Sequence, residues 1–273
     1  MKLTEEGGAM KKKYPEIDQV IEYITTHLYD SISLTDLAAQ AGYSRYHFNR
    51  IFKQRVGVPP LYYLSALRLQ KAKDLLIETD FPVREIGMEI GQQSLGTFTT
   101  RFSERVGMTP AHFRNSIQQA DEHFRSLKNL SDWRDPRTNI DYPYTVHGTL
   151  KTEVPFEGVT LIGLFPKPIP EGLPAYGTLV SSIGDFRVSG VKPGVYYLMA
   201  TSVSWKMPVH DFLLPHRTLR IRAKSPIIVE TYKEIPHQTV TLRPPLKDDP
   251  PILISLPLLM NNFLDRLHQH SNL

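Results

Sequence analysis

SLTDLAAQAGYSRYHFNRIFKQRVG, residues 33–57, reads as two short helices around a tight turn. Ser33 is a good N-cap with Asp36 three residues on, an aspartate variant of the capping box, and Leu34, Leu37, Ala38 and Ala41 fall on one helical face. Gly42 stands where that helix must stop and the chain must turn. Ser44 then offers a second N-cap, for a helix from Arg45 to about Val56 that Gly57 closes. Phe48, Ile51, Phe52 and Val56 form its buried stripe, which leaves Arg45, Tyr46, Asn49, Arg50 and Lys53 on the outer face. Arginine matches the O6 and N7 edge of guanine and asparagine the N6 and N7 edge of adenine, so the outer face carries the chemistry that reads base edges and meets phosphates.

The unit is repeated. A shift of 49 residues lays LTDLAAQAG (34–42) over VREIGMEIG (83–91), and a shift of 50 lays Phe48 over Phe98, Phe52 over Phe102, Arg55-Val56-Gly57 over Arg105-Val106-Gly107, Pro60 over Pro110 and Tyr63 over Phe113. The one-residue difference falls in the turn of the second copy, where an insertion is tolerated best. Matched glycines, prolines and aromatics imply two copies of one supersecondary unit. Pro15 opens a scaffold helix before the first copy, with Ile17, Val20, Ile21, Ile24 and Leu28 at helical spacing. Pro59-Pro60 open a long helix to about Leu76 that ties the copies together. The second copy is expected to run as a helix from Val83 to Ile90, an N-cap at Ser94, and a reading helix from Leu95 to Val106.

Composition sets the frame. The chain has 273 residues, 41% hydrophobic and 22% charged, enough for about two domains of an ordinary globular protein. The absence of cysteine removes disulfides and thiolate chemistry and suits a reducing cytoplasm, the expected location. No apolar run is long enough to span a bilayer, and the N-terminal sequence lacks the apolar core of a signal peptide. The net charge is only +4, yet between Asp36 and Asp74 stand Arg45, Arg50, Lys53, Arg55, Arg68, Lys71 and Lys73 with no acid among them. Such a segregated basic stripe suits a phosphate backbone, and a solvated helical face is the plainer alternative. Lys73 on this stripe is a candidate phosphate contact.

RLQKAKDLL (68–76), VREIGMEIG (83–91) and TFTTRFSERVGMTPAHFR (97–114) together resemble the DNA-binding domain of the AraC/XylS transcription regulators, over residues 14–115. The resemblance implies a domain of about seven helices whose two helix-turn-helix units contact adjacent major grooves of double-stranded DNA as a monomer. Carried over by position, it assigns base contacts to Tyr46, Asn49 and Arg50 in the first reading helix and to Leu95, Gly96, Thr99 and Thr100 in the second. Ser44, Arg45, Lys53, Ser94 and Arg101 join Lys73 as phosphate contacts. The sequence departs from the family pattern at Gly87, where alanine is preferred, at Gln92, where phenylalanine is, and at Ser103, where lysine is common.

Residues 1–13 read as a flexible arm, and 116–143 as a tail helix followed by a linker around Trp133 to Pro143. Beyond it the period changes from helical to alternating. Runs at 146–152, 159–165, 185–190, 195–205, 218–223, 226–230 and 238–244, broken by Pro and Gly, predict an antiparallel β-sandwich over 144–273, closed by a helix near Leu258 to His268. GDFRVSGVKPGVYYLMA (184–200) resembles transthyretin-like and carboxypeptidase-regulatory-like sandwich domains. Tyr196, Tyr197 and Trp205 are candidates for a small-molecule pocket, against the plainer reading as strand core. No metal-ligand spacing, phosphate loop or nucleophile elbow is present, so neither cofactor nor enzymatic activity is expected. The sequence therefore predicts a regulator whose C-terminal domain senses a ligand, dimerises or contacts a partner, with RNA polymerase, a small-molecule effector and a second copy of the chain as partners besides DNA. The alternative is a carbohydrate- or small-molecule-binding sandwich to which DNA binding is accessory.

Overall fold

The computed structural model describes residues 14–92, 94–129, 143–181, 183–223 and 225–271. The expected arm and most of the expected linker lie outside them. Contacts divide the chain into two compact units, one of Met1–Phe98 with Leu246–Pro251, the other of Thr99–Pro245 with Ile252–Leu273. The division between Phe98 and Thr99 falls inside a helix.

The first unit is helical. α1 (Pro15–Thr26) buries Ile17, Val20, Ile21 and Ile24, as its spacing predicts. α2 (Leu34–Gln40) and α3 (Arg45–Val56) follow, then α4 (Pro60–Glu78) and α5 (Val83–Glu89). The aromatic rings of Phe48, Phe52 and Tyr63 pack in series at centroid distances of 5.6 and 5.7 Å and join α3 to α4. α4 is buried on more than one side, from Tyr63 and Leu64 through Ala66, Leu69 and Ala72 to Leu76.

α6 (Leu95–Val106) crosses into the second unit, which continues with α7 (Pro110–Asn115) and α8 (Ile117–Lys128). With α1 to α7 the described residues of the predicted helical region hold seven helices. The sheet-rich region has β1 (Tyr144–Thr152), β2 (Gly158–Phe165), β3 (Tyr176–Val180), β4 (Gly184–Val191) and β5 (Gly194–Ser204). After these come a short α9 (Val209–Leu213), β6 (Arg220–Arg222), β7 (Ile227–Val229), β8 (Gln238–Leu242) and the terminal α10 (Leu256–Ser271). One sheet has the order β4-β1-β8, the other β3-β2-β5-β6 with β7 also pairing with β5. Side chains of both, such as Val146, Leu150, Ile162, Leu198 and Val240, share one hydrophobic cluster.

One expectation needs correction. The sheets are not purely antiparallel, since β8 pairs with β1 in parallel from Gly148↔Gln238 to Thr152↔Leu242. A parallel partner requires a long crossover rather than a hairpin, and the chain from β1 to β8 supplies it. The expected tail helix is α8. In α8, Phe124 packs on Trp205 and Phe212 at 5.6 and 6.0 Å, so the helix covers one end of β5.

Candidate nucleic-acid interface

The two turns are built alike. Ser33 and Asp36 complete a reciprocal capping box, and the Ser33 hydroxyl and backbone N–H hold the Asp36 carboxyl below the usual carboxylate range. α2 ends with Gly42 N–H donating to Ala39 C=O at 3.0 Å and Tyr43 N–H to Ala38 C=O at 2.9 Å. At the equivalent places Gly91 N–H donates to Met88 C=O and Gln92 N–H to Gly87 C=O, both at 2.9 Å. This pair of bonds is the Schellman stop, and it needs the left-handed backbone that Gly42 (φ +70) and Gly91 (φ +77) supply. The reading helices then start on hydroxyl caps. Ser44 Oγ accepts from His47 N–H at 3.4 Å and Ser94 Oγ from Thr97 N–H at 3.2 Å.

In α3 the structure exposes Ser44, Arg45, Tyr46, Arg50 and Lys53 and leaves Asn49 half-buried on the same side, opposite Phe48, Ile51 and Phe52. Tyr46 is 84% exposed, a large aromatic that the core does not use. His47, overlooked in the sequence, packs edge-on against Tyr43 at 4.7 Å, and its Nδ1 lies 3.4 Å from the Arg50 guanidinium. The signal for it was the i, i+3 spacing to Arg50. In α6, Ser94, Leu95, Gly96, Thr100 and Arg101 are exposed and Thr99 is half-buried, opposite Phe98 and Phe102. An open hollow beside the start of α6 is lined by Arg84, Met88, Gly91, Gln92, Ser94 and Leu95. Arg84 therefore adds a cation there.

The basic stripe is narrower than the sequence implies. Lys73 has no exposure at all and cannot reach a phosphate, which corrects its assignment: α4 is wrapped on the face that simple amphipathic spacing left outside. Arg55 is buried in an ion pair, and Arg68 spends its guanidinium on the carbonyls of Leu28 and Asp30 at 2.9 and 2.6 Å. The outward cations of α3 remain Arg45, Arg50 and Lys53.

Gly87 departs from the family pattern for a steric reason. A Cβ built on it would lie 3.0 Å from Cδ1 of Phe98, so the missing side chain lets the ring sit close against α5. Gly96 has no such reason, since nothing lies within 4 Å of a Cβ there. Gly96→Ala is expected to stabilise the protein by about 0.5–1 kcal/mol through the lost entropy of glycine in a helix. Chemical denaturation measures it, and a destabilised variant would mean the α6 start is not helical in solution.

The candidate ligand pocket does not assemble. Tyr196 lies in the core with its hydroxyl donating to Lys192 C=O, Tyr197 projects from the opposite face of β5, and Trp205 packs on Phe124 beyond the end of that strand. Among the described residues no group of three or more histidines or carboxylates could hold a metal ion, and no helix is long and apolar enough to cross a membrane.

Residues 37–116 match the family model of a helix-turn-helix domain. This segment is an AraC-type DNA-binding domain. The chain is 32% identical over 97 residues to an uncharacterized HTH-type transcriptional regulator, YobQ, of Bacillus subtilis, covering 36% of this chain and 40% of that protein. It is 28% identical over 171 residues to the right origin-binding protein of Escherichia coli K12, covering 63% of this chain and 52% of the other. A solved regulator with an AraC-type DNA-binding domain, from Chromobacterium violaceum, is 28% identical, with 38% of this chain and 94% of that one covered and a TM-score of 0.37. The chain spans about half the length, or less, of these curated relatives. The 171 residues aligned with the origin-binding protein exceed the 102 of residues 14–115, so that likeness reaches beyond the AraC-type domain.

Proposed function

We propose that the protein is a sequence-specific transcription regulator whose α3 and α6 enter adjacent major grooves of double-stranded DNA. One observation carries this reading: the same Schellman turn and hydroxyl cap precede both helices, and each then turns polar side chains outward at matched positions. Base reading falls to Tyr46, Asn49 and Arg50 in α3 and to Leu95, Gly96, Thr99 and Thr100 in α6. Ser44, Arg45, Lys53, Ser94 and Arg101, with Arg84, meet phosphates. Two such helices follow one face of B-DNA when held about one helical turn, roughly 34 Å, apart. The C-terminal region serves regulation, by sensing a small molecule or by assembly with a second copy or RNA polymerase, and the protein works in the cytoplasm without catalysing a reaction. The alignment that extends past the AraC-type domain supports a shared role for that region.

Selection of bound sequences from random DNA by the full chain, followed by footprinting, tests the reading. Two protected patches on one face are expected, with affinity falling steeply as salt rises and released counterions lose their advantage. A single protected groove would sink the two-helix arrangement, and salt-indifferent binding would sink the phosphate assignments.

A further inference from the structure

Two large apolar side chains are exposed beside the start of α6. Met88 is 63% exposed and Leu95 46%, and both line the open hollow that Arg84, Gly91, Gln92 and Ser94 complete. The core does not use them, since Ile86 and Ile90 on one side of the turn and Phe98 on the other are already fully buried. One apolar residue on a surface is ordinary, whereas two lining the same hollow form a patch that asks for a partner.

The repeat shows that the patch belongs to the second unit alone. By the 49-residue shift Met88 stands where the first unit has Ala39, and Arg84 where it has Thr35. By the 50-residue shift Leu95 stands where it has Arg45. A methyl group and a guanidinium are thus replaced by two long apolar side chains, and a cation appears instead at Arg84 in the first turn of α5. The glycines and buried aromatics of the frame are the same in both units, so the exchange changes what the unit offers to a ligand rather than how it folds.

The major groove of DNA presents hydrogen-bond donors and acceptors from every base pair but only one apolar group, the C5 methyl of thymine. Leu95 is among the base-reading positions of α6, so a base edge that reaches it lies at the rim of the hollow and meets Met88 as well. Methionine, unbranched and polarizable, adapts its side chain to such a group.

We infer that Met88, with Leu95, is a specificity-determining residue that reads the methyl group of a thymine in the half-site of α6. The inference rests on the two-groove reading above and deepens it, because Thr99 and Thr100 offer only adaptable hydroxyls and the apolar pair supplies a base preference that they do not.

The test uses the full chain and the sequence it selects from random DNA. The α6 half is the one whose base preferences survive Arg50→Ala. Each thymine there, on either strand, is replaced in turn by deoxyuridine, which pairs alike and lacks only the methyl. The parent should lose about fourfold in affinity at one such position, the worth of burying one methyl group. The double variant Met88→Ala with Leu95→Ala should bind the thymine and deoxyuridine forms alike, whereas Met88→Leu should keep the difference. Both exchanged side chains are exposed, so the variants should fold as the parent does, and a loss of stability would weaken both forms equally without moving their ratio. A selected α6 half without thymine, or a parent indifferent to the methyl at every thymine, would overturn the inference. So would a double variant that keeps the ratio, which would leave the apolar pair to a protein partner. If footprinting shows a single protected groove, the two-groove reading fails and the inference with it, an outcome distinct from the others.

Discussion

Phe98→Ala is expected to cost about 3–5 kcal/mol of folding stability, the range for emptying a buried phenylalanine site. Phe98 has no exposed surface, and its ring lies where a Cβ on Gly87 would approach to 3.0 Å. The glycine that admits the ring cannot fill the space the ring would leave. A native protein has only about 5–15 kcal/mol in hand, so this one side chain decides whether the second helix-turn-helix unit persists. Phe98→Leu, which keeps most of the volume, should cost distinctly less. Denaturant titrations of both variants, compared with the matched Phe48→Ala in the first unit, measure the effect. A cost under 1 kcal/mol for Phe98→Ala would show that the α5–α6 packing does not depend on the ring.

The repeat made this position legible. Phe98 aligns with Phe48 in the repeat, and the matched glycines have matched backbone, with Gly57 and Gly107 both left-handed at φ +90 and +93. Ser33, Ser44 and Ser94 could be read as caps because capping is local, a matter of three or four residues. Among the described residues seven of the eight strands fall on β-rich runs of the sequence, and β3 does not. What sequence could not show was long-range. Lys73 looks solvated on a wheel of α4 alone and is buried because other elements cover that face. Arg55 looks like a cation waiting for phosphate, yet it and its repeat equivalent Arg105 pair with acids 193 and 66 residues away, with no local pattern to announce them. Tyr196 and Tyr197 were grouped by adjacency, although neighbours on a strand point to opposite faces.

Arg50→Ala should lose about 1–3 kcal/mol of specific affinity and relax the preference at one base pair, as loss of a bidentate guanine contact does. Arg50 is exposed on α3, and the His47 ring 3.4 Å away limits where its guanidinium can go. An arginine already held loses less freedom on binding than one that must be ordered first. The second helix presents Thr99 and Thr100 in the corresponding region, and a hydroxyl forms a single adaptable bond, so Thr100→Ala should cost less and blur the site only slightly. Specificity then lies mainly in the half-site that α3 reads. Each variant is measured on a panel of single-base changes in the selected site at two salt concentrations, which separates base reading from phosphate contact. Lys53→Ala serves as the contrast, since an exposed lysine that meets a phosphate should weaken every sequence about equally and lower the salt slope by about one. If Arg50→Ala instead weakens all sequences alike while Thr100→Ala abolishes the preference at a base pair, the roles of the two helices are reversed: α6 does the reading and α3 supplies the grip.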